Sequence, residues 1–271
     1  MRAHAGAIDP GNAIFNGVII DKIADVEIIG GVDDQIESIQ QSVDGGRIHI
    51  FDNAFDMDKR IDCAQFFLSS HGFRQNGADI VFIPSVEDVY PDGFQTSVRV
   101  GTLSEPLEGA SRPGHFEGVT TIVAILLSLA GADRAYFGQK DAQQLQIIRR
   151  MAADLGIATE IVACPIVREA DGLALSSRNV RLTTEERAAA TVLRRALLAA
   201  RSAYEAGERD GVALRATMGG VLAAEPLAAP EYVSCSDPAT LRELDRIDGP
   251  ALLSMAVRFG SVRLIDNDPL P

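Results

Sequence analysis

Arg112, Lys140 and Arg178 are fixed positive charges, which suits the binding of phosphate oxygens. Lys140 follows Phe137-Gly138-Gln139, where Gly138 allows the backbone angles of a sharp strand-to-helix turn, and it precedes Asp141, which falls at the position of a helix N-cap. The free N–H groups and positive dipole end of a helix N-terminus favour negative charge. Beside Arg178, the hydroxyls of Ser176 and Ser177 add donors for phosphate oxygens, and Gln143 and Gln144 add uncharged donors and acceptors suited to hydroxyl and carboxylate groups. Together these groups can hold a nucleoside triphosphate without a P-loop, since G-x-x-x-x-G-K-[ST] occurs nowhere in the chain. No serine–histidine–acid arrangement suggests an activated nucleophile, and none of the 4 histidines pairs with another at metal-ligand spacing. Each position also has a plainer reading. Lys140 could be a solvated turn lysine and Asp141 an ordinary cap, 176–179 a capping loop, Arg112 a partner of Glu108, His115 a loop residue bonded to backbone, and Gln144 an exposed helix residue.

The elements that must position these residues follow from periodicity. Residues 134–137 close an apolar run that reads as a buried strand, and Leu145, Ile147, Ile148 and Met151 recur at helical spacing in a helix over 141–155. Strands are expected at 78–84 and 159–164, and an apolar helix at 120–129. Between them, 107–119 carries too much glycine and proline for a regular element and too much charge for a linker, and it reads as a functional loop. Upstream, strands at 26–30 and 47–51 flank a polar helix at 33–43 in one βαβ unit, while the first twenty residues show no such pattern. Strands alternating with helices predict an α/β fold with a parallel, doubly wound sheet whose ligand crevice lies at the strands' carboxyl ends, where Gly138 stands. From Asn179 the character changes. Thr183 to Glu186 is a capping box opening a long helix to about Ala206, a second helix runs over 211–224, and strands follow at 232–235, 251–257 and 262–265. Two domains are expected: residues 1–178, with 1–75 atypical, and a smaller α+β domain over 179–271.

Length and charge bound the partners. A chain of 271 residues, 46% hydrophobic with 24 glycines and no tryptophan, has the composition of an ordinary globular α/β protein. Its 38 acidic against 25 basic residues give a net charge of −13, which repels nucleic acid and anionic membranes, so an anionic substrate must meet a local basic cluster. Cys63, Cys164 and Cys235 are widely spaced and read as reduced cytoplasmic thiols. The most apolar segment, 121–132, is too short to span a bilayer, and no signal pattern opens the chain, so a cytoplasmic protein is expected.

Three long stretches carry a resemblance. L-E-G-A-S-R-P-G-H-F-E-G-V at 107–119, F-G-Q-K-D-A-Q-Q-L at 137–145 and V-R-E-A-D-G-L-A-L-S-S-R-N at 167–179 stand in the order and at the spacing of the pantoate–β-alanine ligases, and R-L-I-D-N at 263–267 completes the match. The resemblance covers about residues 77–267. It implies a Rossmann-like, nucleotidyltransferase-type domain with a small C-terminal lid domain, usually in a homodimer. It also implies ATP-dependent condensation of (R)-pantoate with β-alanine, through a pantoyl adenylate, with release of pyrophosphate and AMP. ATP with Mg2+ is the implied cofactor. By motif match Gly138, Gln139, Lys140, Asp141, Leu175, Ser176, Ser177 and Arg178 would contact ATP, with Lys140 and Arg178 on the phosphates. Val167 would hold adenine through its backbone and Gln144 would bind pantoate, and Arg112 is a further candidate for substrate binding.

The N-terminal quarter departs from the family pattern. A-G-A-I-D-P-G-N at 5–12 stands nearest the family's M-G-A-L-H-x-G-H, with Asp9 and Asn12 at the two histidine positions, and Asn12 is the catalytic candidate there. I-F-D-N-A-F at 50–55 is similar to I-F-V-N-P-x-Q-F but lacks its glutamine, and Ile125 stands where a lysine is common. These departures support an alternative expectation: an ATP-binding homologue of the same family with impaired catalysis.

Overall fold

Residues 86–271 are described in full by a computed structural model, with the backbone of strands β1 (Val18–Lys22), β2 (Val26–Ile29), β3 (Ile50–Phe51) and β4 (Val81–Phe82). Asn12, the rest of the 5–12 stretch and the helix expected at 33–43 lie outside the described residues. The chain forms two units, residues 1–139 with 143–164, and residues 140–142 with 165–271.

The first unit is built on a sheet of order β2-β1-β5-β6, where β5 is Arg134–Gly138 and β6 is Glu160–Cys164. β5 and β6 run parallel, with Arg134 opposite Glu160 and Gly138 opposite Cys164, and β3 pairs β4 in parallel. β1 runs antiparallel to both β2 and β5. Two expectations are corrected here. A strand, Val18–Lys22, stands where the sequence pattern suggested none, and β2 pairs with this neighbour, so it does not enter a βαβ unit with β3. The run V-I-I is β-branched, but five residues are too few for periodicity to separate a strand from a loop.

Among the described residues, four helices accompany this sheet: α1 (Val86–Val89), α2 (Glu108–Ser111), α3 (His115–Ala130) and α4 (Ala142–Asp154). Ala135, Tyr136 and Phe137 are all buried, as a central strand covered on both faces requires. Phe137 packs in one cluster with Ile122, Leu126 and Leu127 of α3 and Leu145, Ile148 and Met151 of α4. Ile125, at the position where a lysine is common in the family, lies half-buried against this core. Two buried threonines fix α3 to the extended chain before it. Thr121 Oγ1 accepts from the Val98 N–H at 2.9 Å, and Thr120 Oγ1 donates to the Val98 carbonyl at 2.5 Å.

In the second unit, β7 (Ala229–Ser236), β8 (Ala251–Phe259) and β9 (Val262–Leu270) form an antiparallel sheet in that order. α5 (Thr184–Ala190), α6 (Val192–Glu205) and α7 (Gly211–Ala223) share its core: Leu193 and Leu197 of α6 and Leu214 and Met218 of α7 cluster with Leu253, Met255 and Phe259 of β8. The capping box is present, the Thr183 hydroxyl accepting from the Glu186 N–H at 3.2 Å while the Glu186 carboxylate accepts from the Thr183 N–H at 2.9 Å. The single long helix expected after it is two helices that break at Thr191.

Candidate functional site

The stretch 107–119 is more regular than its glycines and proline suggest. It holds one helical turn, α2, and then the first turn of α3, which opens at Gly114 with φ +81°. Leu107 has φ 52°, a left-handed value for a side chain with bulk, and Gly109 lies where an added Cβ would come 1.8 Å from the Ser104 carbonyl oxygen. Gln143 ties this segment to α4: its Oε1 accepts from the Glu108 N–H at 3.0 Å, and its Nε2 donates to the carbonyls of Leu103 at 2.9 Å and Pro106 at 2.8 Å. With both amide protons committed, Gln143 is a scaffold residue and not the substrate reader its polarity suggested. Gln144, expected to read pantoate, is buried rather than exposed, and its amide makes no hydrogen bond among the described residues.

Arg112 Nη1 stands 2.9 Å from His115 Nε2. A guanidinium can only donate, so Nε2 accepts and the ring carries its proton on Nδ1. His115 is 4% exposed and packs at the start of α3, so it is not a mobile loop residue.

Gly138 ends β5, and the next three residues, Gln139–Asp141, wind as one turn of 3-10 helix directly before α4. The turn is therefore where the sequence placed it, with Asp141 immediately ahead of the first α-helical residue. Lys140 is only 7% exposed, and it makes no ion pair or side-chain hydrogen bond among the described residues. The plainer reading of a solvated turn lysine does not hold. A buried ammonium without an acid partner is costly unless something anionic completes it.

The remaining candidates lie in the second unit on a folded-back segment. Arg168 bridges Ala174 in antiparallel fashion, and the Leu175 N–H donates to the Val167 carbonyl at 3.0 Å. Gly172 turns the chain at φ +90°. Ser176 Oγ accepts from the Arg178 N–H at 3.2 Å, and Asn179 Nδ2 donates to Glu169 Oε1 at 2.8 Å, so the serine loop is internally ordered. Arg178 Nη1 donates to the Arg263 carbonyl of β9 at 3.2 Å. Arg168, absent from the sequence candidates, makes a two-pronged pair with Asp266 at 2.7 and 2.9 Å. Asn267, also unforeseen, donates from Nδ2 to the Lys140 carbonyl at 2.8 Å. Both stand in stretches that carry the family resemblance, 167–179 and 263–267, but no local pattern gives either a task, because their partners lie 98 and 127 positions away.

The arrangement offers fixed positive charge and backbone donors, with ordered loops to present them, and among the described residues no cluster of histidine, cysteine and carboxylate groups could hold a metal ion. Such a set is suited to positioning and neutralising phosphate.

Comparison with known proteins identifies the family. A sequence model described as pantoate-beta-alanine ligase matches residues 69–268. A pantothenate synthetase of Roseiflexus castenholzii is 59% identical over 189 residues, spanning 70% of this chain and 68% of that one. One from Chloroflexus aurantiacus is 62% identical over 193 residues, with the same 70% and 68% coverage. Among solved structures, a pantothenate synthetase from Thermus thermophilus superposes with a TM-score of 0.77 at 39% identity, covering 86% of each chain. A pantoate-β-alanine ligase from Francisella tularensis, solved in complex with beta-gamma ATP and β-alanine, gives a TM-score of 0.59 at 27% identity, covering 86% of this chain and 83% of that one. The matched residues run through the turn at Gly138, the 107–119 stretch and the folded-back segment alike, and the chain belongs to the pantoate–β-alanine ligase family.

Proposed function

We infer that this chain is an AMP-forming ligase that condenses (R)-pantoate with β-alanine to give pantothenate. The observation that carries the reading is Lys140, buried at a strand-to-helix turn and without an acid partner among the described residues. In the first step the carboxylate of pantoate attacks the α-phosphorus of Mg-ATP, forming a pantoyl adenylate and expelling pyrophosphate. In the second the amine of β-alanine attacks the acyl carbon, the acyl–phosphate bond breaks, AMP leaves and one proton is released. Lys140 and Arg178 balance the charge that grows on the phosphates as pyrophosphate departs, which in a shielded site is the largest contribution such a scaffold makes. Backbone N–H groups at Gly138, Gln139 and Asp141, and the run Leu175-Ser176-Ser177, complete the ATP contacts, while Val167 holds adenine through its main chain. Gln144 reads pantoate, supported by an amide that nothing in the described residues occupies. Arg112, turned by His115, is assigned a second contact to the pantoate carboxylate. Asn12 is kept as the N-terminal catalytic candidate.

The wider proposal is a cytoplasmic homodimer in which residues 1–178 bind nucleotide and pantoate and residues 179–271 serve as lid and dimer-associated domain. Free, buried Cys164 and Cys235 support a reducing compartment. Among the described residues no helix is long and apolar enough to cross a membrane.

The test is AMP release from ATP and pantoate, with and without β-alanine, in the protein and in Lys140→Ala. Release dependent on β-alanine, falling about 100- to 1000-fold in the variant as loss of one charge-stabilising contact predicts, supports the ligase. ATP binding that Lys140→Ala abolishes, with no AMP from either protein, would instead mark a homologue that has kept the pocket and lost the chemistry.

A further inference from the structure

We propose that Asn267 is a positioning residue for the phosphate-binding turn: it sets Lys140 without touching substrate itself. The inference rests on the role assigned to Lys140 above and adds a residue to which no motif assigns a task.

Asn267 is 2% exposed, and its side-chain amide donates to the main-chain carbonyl of Lys140 at 2.8 Å. That carbonyl lies inside the short 3-10 turn Gln139–Asp141, so the bond fixes the backbone from which the lysine side chain springs. Asn267 is itself held from its own strand. Its N–H donates to Asp266 Oδ1 at 2.8 Å, and Asp266 is locked by the two-pronged pair with Arg168. Alternation along β9 sends the Asp266 and Asn267 side chains to opposite faces. One face therefore grips the folded-back segment through Arg168, and the other grips the lysine turn. Earlier on the same strand, the Arg263 carbonyl receives Arg178 Nη1 at 3.2 Å. A short run of β9 thus holds both segments whose cations are assigned to the phosphates.

Removing the Asn267 amide takes this donor from the buried Lys140 carbonyl, so the turn must shift to find another. Positioning is the property that such a bond supplies well. Displacement of a reacting or charge-stabilising group by about 1 Å costs on the order of 100-fold in rate.

The experiment measures Mg-ATP affinity by calorimetry, then kcat and the KM for ATP and for β-alanine, in the intact chain, Asn267→Ala, Asn267→Asp, Lys140→Ala and the Asn267→Ala/Lys140→Ala pair. Asn267→Asp keeps the shape and, when ionised, lacks the donor. The expected result is at least a tenfold loss of ATP affinity in both Asn267 variants, a KM for β-alanine within twofold of the parent, and no further loss in the pair beyond Lys140→Ala alone. That non-additivity is the signature of acting through Lys140, and a merely structural role does not produce it. ATP affinity within twofold of the parent in folded Asn267 variants overturns the proposal, as do fully additive losses. Should the variants not fold, the Asn267 side-chain amide resonances of the intact protein decide: a shift on saturation with Mg-ATP is expected, and unmoved resonances overturn the idea. An intact protein that binds Mg-ATP without making AMP removes the ligase reading and leaves this inference standing. One that binds no ATP removes both.

Discussion

Gly109 is the position where backbone leaves no room for a side chain. An added Cβ would sit 1.8 Å from the Ser104 carbonyl oxygen, a main-chain atom that cannot swing aside. Two residues earlier Leu107 holds φ 52°, so the chain here is already in a region that costs a bulky residue roughly 1–3 kcal/mol. Gly109→Ala must therefore push the 102–104 turn away or unwind α2. The expected result is a loss of about 3 kcal/mol in the urea-unfolding free energy, the upper end for overpacking, with the KM for pantoate rising in whatever protein remains folded. A variant as stable as the parent would show that the segment yields more easily than its backbone contact implies.

Gln143 decides how one element carries another. Through three hydrogen bonds it clamps the 103–108 main chain onto α4, so that Arg112 and His115 stand on a braced segment. Gln143→Leu preserves much of the volume and strands the Glu108 N–H and the Leu103 carbonyl, while the Pro106 carbonyl still accepts from the Gly109 N–H at 2.9 Å. At 1–3 kcal/mol per unsatisfied buried group, partly relieved by water, the net loss is expected to be about 3 kcal/mol. Amide hydrogen exchange at Glu108 should accelerate in the variant far more than exchange at Leu126 in the middle of α3. Equal acceleration at both would mean that Gln143 supports the whole unit instead of this segment.

For the whole molecule, buried thiols set a boundary on the alkaline side. Burial pushes Cys164 and Cys235 up to about 11 from an ordinary 9.0. A thiol whose folded pKa lies above its unfolded value contributes stability that is fully present below pH about 9 and lost as pH rises toward 11, because the unfolded chain ionises first. Urea midpoints measured from pH 8 to 11 should fall, and fall less steeply in a Cys164→Ala/Cys235→Ala chain; parallel slopes would assign the loss to other groups. Against this background the division of labour between sequence and fold is clear in particular residues. The sequence by itself determined β5, the turn at Gly138 and the helix after it, and the capping box at Thr183, because turns and caps are local and their chemistry is written in side-chain type. Tertiary structure alone decided that Lys140 is buried without an acid partner among the described residues, that Gln143 is a clamp, that 107–119 is largely helical, and that β1 joins β5 in antiparallel fashion. It alone brought Asp266 to Arg168 and Asn267 to Lys140. Burial and pairing between residues about a hundred positions apart depend on how elements pack, and no short window of sequence contains both partners.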